Sequence, residues 1–175
     1  DRVDSVVIDE QAGTHAVVTY LKQLGHTDIV HVTGGDGAGS SVRVECFHRS
    51  MEAAGLGPGR TVKGDFTEEA GLRAAQAILA SGRIPTAVFA ANDAFAIGVL
   101  TGLRDAGLAP QPGQVPPVAV VGLGDLEMGR LITPRLSTIR VHGEAIGRAA
   151  AGLTLDRTGP RRIDLGFELV VRESG

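Results

Sequence analysis

The 175-residue chain has the length of one domain able to bury a substantial core, and 43% hydrophobic against 21% charged residues excludes a disordered segment. A formal net charge of −3, with the basic residues scattered rather than gathered in a stripe, argues against this segment itself gripping nucleic acid. Apolar runs of at most about eight residues fall far short of the roughly 20 needed to cross a bilayer. The sequence opens on no charged-then-apolar leader, so the expected location is cytoplasmic.

In chain order, short β-branched runs alternate with segments whose apolar residues recur every three or four positions. DSVVI (4–8) predicts a first strand, and 12–24 a helix with Ala16, Val17, Tyr20, Leu21 and Leu24 on one side. DIVHV (28–32) predicts the next strand, followed by the glycine-rich GGDGAGSS and a helix over 41–54. RTVKG (60–64) leads to a helix over 67–80, where Thr67, Glu68 and Glu69 suit a helix entry. TAVFA (86–90) runs into Asn92 and Asp93 and a helix over 94–106. The loop GLAPQPGQVPP (107–117) then precedes PVAVVG (117–122), LSTIRV (136–141), a helix over 144–157 and a late strand pair in 163–171. Gly25, Gly55 and Gly107 stand where left-handed helix caps are wanted. This repetition means crossover connections and a mainly parallel sheet with helices on both faces, an α/β fold.

Ligands of open parallel sheets bind beyond the carboxyl ends of the strands. Arg43, then Asp65 and Phe66, then Asn92 and Asp93, then Gly124 and Asp125 follow four successive strands. An arginine fork, an amide and one aromatic ring suit a small hydroxyl-rich molecule, the ring lying against an apolar sugar face. Asn92 is the expected ligand contact, and Asp93 the expected cap of the next helix. Arg43 is expected near a helix start, where the macrodipole disfavours a cation without a partner. Asp65 and Asp125 also fit turns. No GxxxxGK[ST], GxSxG or HExxH is present, the five histidines are scattered, and the single Cys46 excludes an internal disulfide. A magnesium site built from Asp65, Asp93 and Asp125 is the remaining enzymatic alternative.

Many stretches together, among them VVIDEQAGTHAVVTYLKQLGHTDIVHVTG, KGDFTEEAG, IPTAVFAANDAFAIGVL, VAVVGLGD, ITPRLSTIRV and FELVVRES, are similar to the effector-binding part of the LacI/GalR family of bacterial transcription regulators. The resemblance implies a periplasmic-binding-protein-like (type I) fold, a doubly wound parallel sheet in each of two lobes, with the effector held between them. On the family's pattern Arg43 contacts the effector, Phe66 packs on it and Asn92 hydrogen-bonds it. The family's acidic contact falls on the segment Gly122, Leu123, Gly124, Asp125, where Gly124 holds the usual first aspartate position and Asp125 is the acid present. The GLGD version, with LGFELVVRES, resembles the gluconate-operon repressor branch, so a sugar acid such as gluconate is the first expected effector.

The resemblance further implies a homodimer that meets operator DNA through an amino-terminal helix-turn-helix absent from this chain, with no catalysis, cofactor, metal or membrane partner. Residues 1–9 are expected to end the amino-terminal lobe, 10–137 to form the carboxy-terminal lobe, 138–160 to cross back as a strand and helix, and 161–175 to return. In such a fragment the apolar side of the helix over 144–157 is expected to be exposed. A periplasmic-type sugar-binding protein of a transporter shares the fold and is the alternative reading.

Overall fold

The computed structural model describes residues 3–35, 37–109, 116–155 and 160–175. In chain order the elements are β1 (Ser5–Val7), α1 (Glu10–Gln23), β2 (Ile29–Thr33), α2 (Ala38–Ala53), β3 (Arg60–Lys63), α3 (Glu68–Ala80), β4 (Ala87–Ala90), α4 (Asp93–Asp105), β5 (Ala119–Gly124), α5 (Glu127–Leu131), β6 (Ser137–Arg140), α6 (Gly143–Leu155), β7 (Arg162–Asp164) and β8 (Glu168–Val170). A six-stranded sheet, ordered β3–β2–β4–β5–β6–β8, is parallel throughout except for the antiparallel edge pair β6–β8.

Strands β2 and β4 are buried along their whole length, as a parallel sheet covered on both faces requires. On one face α1 and α2 set Val17, Val18, Leu21, Phe47 and Met51 over Ile29, Phe89 and Val121. On the other, α3 and α4 set Ala74, Ile78, Phe95, Val99 and Leu103 over Val30, Val88 and Val120. Each such large side chain removed from water contributes about 1.5–3 kcal/mol.

The helix punctuation follows the sequence. Thr67 Oγ1 accepts from the Ala70 N–H at 3.2 Å and so caps α3. Gly25, Gly55 and Gly107 all have positive φ just beyond a helix end. At the first of them the Gly25 N–H donates to the Lys22 carbonyl and the His26 N–H to the Leu21 carbonyl, which satisfies two orphaned acceptors of α1.

Several expectations shift. The strand over 136–141 does not leave the main sheet: β6 lies between β5 and β8, and the chain departs after Arg140. The late strand pair splits, because β7 joins β1 in a separate parallel two-stranded sheet while β8 closes the edge of the large one. The return therefore falls between Asp164 and Glu168 rather than at 161. Helix α6 packs on β1, with Leu153 buried and Ala145, Ile146 and Ala149 half-buried, so the expected bare apolar side is covered in part. Ala150, Ala151 and Leu155 stay exposed on its far side. Short α5 had no periodicity long enough to register, and α2 begins at Ala38, three residues before the expected start at 41. Residues 110–115 of the expected loop lie outside the described residues.

Candidate functional site

Three of the four expected contacts share one rim, at the carboxyl ends of β2, β3 and β4. Because α2 begins at Ala38, Arg43 lies in its second turn rather than near its start, so the macrodipole bears on it less than expected. Its guanidinium forms a two-point ion pair with Glu10, Nη2 at 2.5 Å and Nε at 3.0 Å, and Nη1 donates to the Ala91 carbonyl at 3.1 Å. Three of its five N–H donors are thereby used, leaving one hydrogen on each terminal nitrogen for a ligand. Glu10, the first residue of α1, locks the planar fork and joins α1 to α2.

Phe66 is 48% exposed in the loop between β3 and α3, not in the core. The tip of its ring sits against Gly34, where a Cβ would fall 2.2 Å from Cζ; any side chain at that position would displace the ring. Asn92 ties the rim together: its Nδ2 donates to the Phe66 carbonyl at 3.2 Å.

The roles expected for Asn92 and Asp93 need correction. Asn92 is itself the N-cap of α4, its Oδ1 accepting from the Phe95 N–H at 2.8 Å. The side chain thus holds a cap with its oxygen and the Phe66 loop with its nitrogen, and the second N–H points to no protein partner among the described residues. Asp93 is not the cap. Fully buried in the first turn of α4, it accepts from Thr138 Oγ1 and from the Leu126 N–H, both at 2.6 Å. Burial pushes its carboxyl above the ordinary range, against those two hydrogen bonds. Gly122 makes room for it: a Cβ there would fall 2.2 Å from Asp93 Oδ1.

Asp125, the fourth expected contact, is turned into the protein, with its side chain 2% exposed. Arg130, Arg140 and Arg172 all donate to it, at 2.6, 2.6 and 2.5 Å. Burial alone raises its pKa, but the three guanidinium groups outweigh that and hold it well below the usual carboxylate range. Arg140 also reaches Glu168 on β8 at 2.6 Å, and Arg172 donates to the Leu136 carbonyl at 2.6 Å. The cluster stitches β5, β6 and β8 together where the chain leaves for the small sheet. Preceding it, Gly124 has φ +137, a conformation strained for any residue with a side chain, so an aspartate could not simply be restored there.

The carboxylates expected to converge are therefore apart in role. Asp65 is exposed, while Asp93 and Asp125 are consumed by internal partners. Among the described residues no group of three His, Cys, Asp or Glu side chains is placed to hold a metal ion. Sequence reasoning missed Glu10, Thr138, Arg140 and Arg172, whose partners lie between 15 and 47 residues away. The signal available was that a cation beside the glycine-rich loop needs an anion; its identity had no local trace.

A family model for the periplasmic binding protein-like domain matches residues 18–174. The chain belongs to that family. It is 34% identical over 99% of its length to the HTH-type transcriptional repressor PurR of Salmonella typhi, covering 52% of that protein. The structure of the transcriptional regulator CelR in complex with cellobiose superposes with a TM-score of 0.90 at 31% identity, over 99% of this chain and 54% of that one. A LacI transcriptional regulator from a Rhodococcus species superposes with a TM-score of 0.88 at 30% identity, over 98% and 64%. The chain spans about half the length of the curated relatives it matches. It is thus a periplasmic-binding-protein-like domain of LacI type, with the rim of Arg43, Phe66 and Asn92 at its strand ends. No helix among the described residues is long and apolar enough to cross a membrane.

Proposed function

We propose that this domain senses a small hydroxyl-rich effector, a sugar or a sugar acid such as gluconate, between its strand-end rim and an opposing lobe. In the whole protein, a homodimeric repressor, differential affinity for the open and closed lobe arrangements shifts operator binding. The observation that carries this reading is the rim itself. A locked guanidinium with two spare donors, an amide with one, and a half-exposed ring are joined through the Ala91 and Phe66 carbonyls. A hydroxyl-rich ring needs that combination of hydrogen-bond donors and one flat apolar surface. The likeness to a cellobiose-bound regulator supports a saccharide class. The acid end is favoured by charge. Gly124 offers no carboxylate, and Asp125 is turned inward onto three arginines, so neither residue of that segment sets a free negative charge against an acidic effector.

Calorimetry of the intact protein against gluconate, glucose and cellobiose tests the proposal. Saturable heat with one of them, lost in Arg43→Ala and in the cap-preserving Asn92→Ser while both variants still melt cooperatively, is the expected result. Wild-type affinity in both variants would place the effector elsewhere.

A further inference from the structure

Glu10 is used by Arg43 but not used up. It opens α1 immediately after Asp9, whose carboxylate accepts from the Ala12 N–H at 2.8 Å and fixes where the helix starts. A carboxylate in a first helical turn is favoured by the macrodipole, and this one is set there against the strand-end rim. Oε1 accepts from Arg43 Nη2 at 2.5 Å and Oε2 from Nε at 3.0 Å. Each carboxylate oxygen can accept twice, and among the described residues no second donor reaches either one. Asp125, by contrast, takes three guanidinium groups with its side chain 2% exposed, whereas that of Glu10 is 28% exposed beside an arginine at 16%. The Glu10–Arg43 pair is thus still open, and Nη1, which donates to the Ala91 carbonyl, brings it up to Asn92.

A spare acceptor next to a spare donor discriminates between ligand groups. A hydroxyl both donates and accepts, so a single hydroxyl satisfies Glu10 and Arg43 together. A carboxylate only accepts. Turned toward Arg43, it would use the guanidinium but set like charge against Glu10, in a partly buried place where repulsion is poorly screened. An unpaired arginine would draw the acid group of a ligand; this one is already neutralised and keeps only hydrogen bonds to offer.

On the rim reading above, we propose that Glu10 is a specificity-determining residue of the effector site. With Arg43 it takes a hydroxyl of the effector, and its charge keeps an acid group off that guanidinium. A hydroxyl-bearing face of the saccharide therefore meets the pair, and the acid end of a sugar acid points away from it.

Two matched pairs of probes, glucose with glucuronate and glucitol with gluconate, differ only by a hydroxymethyl against a carboxylate. Calorimetry of the intact protein is the measurement. Glu10→Gln keeps the side-chain length and an acceptor for Arg43 but removes the charge. The neutral member should bind about tenfold weaker in this variant, the loss expected when a hydrogen bond to a charged group becomes one to a neutral group. Its acid partner should bind as tightly as before or tighter, so the ratio of acid to neutral affinity rises. A residue that only positions Arg43 would weaken both members alike. The double variant Glu10→Gln, Arg43→Gln leaves no unpaired cation to disturb the fold and gives a second reading. It should weaken both members by factors that agree within about twofold; a selective loss of the acid would place the acid group on Arg43 and overturn the proposal. No saturable heat with any of the four probes in wild type overturns the rim reading and Glu10's role with it. Saturable binding that Glu10→Gln leaves unchanged, or weakens equally in both members of a pair, overturns the role of Glu10 alone.

Discussion

The two halves of the large sheet end differently. Over β2, β3 and β4 the polar groups are part-buried: Arg43 bonds Glu10 and the Ala91 carbonyl, Asn92 bonds Phe66 and Phe95, and each still keeps a donor in reserve. Over β5, β6 and β8 they are sealed, and Asp93 and Asp125 spend every oxygen on Thr138, Leu126 and three arginines. Similar residue types thus keep spare donors on one side and are saturated as a mechanical joint on the other. What separates them is whether partners from distant segments arrive to saturate them.

The largest test of that contrast is Asp125→Ala. It leaves three guanidinium groups around an empty position and should cost about 3–5 kcal/mol, read by denaturant unfolding, because a broken partly buried ion cluster leaves uncompensated charge. A loss below about 1 kcal/mol would mean the joint is not held by that carboxylate.

Beneath the open half, His31 is fully buried between Phe47 and Phe89, with Nδ1 2.9 Å from the Phe89 carbonyl oxygen. Burial lowers its pKa to about 4 from 6.5. The unfolded chain therefore takes a proton that the folded one refuses. Stability is complete above pH 6.5 and falls as the pH drops toward 4, by about 3 kcal/mol at most. His31→Leu should remove that part of the slope in unfolding measured across this window; an unchanged slope would assign the acid sensitivity to another group.

Smaller still, Asn92→Ala should cost about 1 kcal/mol from the lost cap, whereas Asn92→Ser keeps most of it. Both should lose effector, so paired melting and calorimetry divide the two functions of one amide. The smallest effect on stability is expected for Phe66→Ala. A half-exposed ring in a loop should cost less than about 1 kcal/mol on melting while effector affinity falls at least tenfold. A large stability loss there would mean the ring is structural and would erase the difference between the two halves.

The residues that build elements were legible because the forces on them are local. Val17, Val18 and Leu21 repeat at helical spacing, β2 and β4 are apolar runs between turn residues, and Gly25, Gly55 and Gly107 end helices where backbone geometry needs them. The order of elements followed, and with it the strand ends where Arg43, Phe66 and Asn92 gather. Tertiary structure alone decided which polar residue does what. Asn92 rather than Asp93 caps α4, because Gly122 and Thr138, on strands far along the chain, draw the aspartate inward. Asp125 became a joint because Arg140 and Arg172 come to it across β6 and β8. Periodicity and turn chemistry are written in neighbouring residues; the saturation of a carboxylate depends on which distant cations the fold delivers to it.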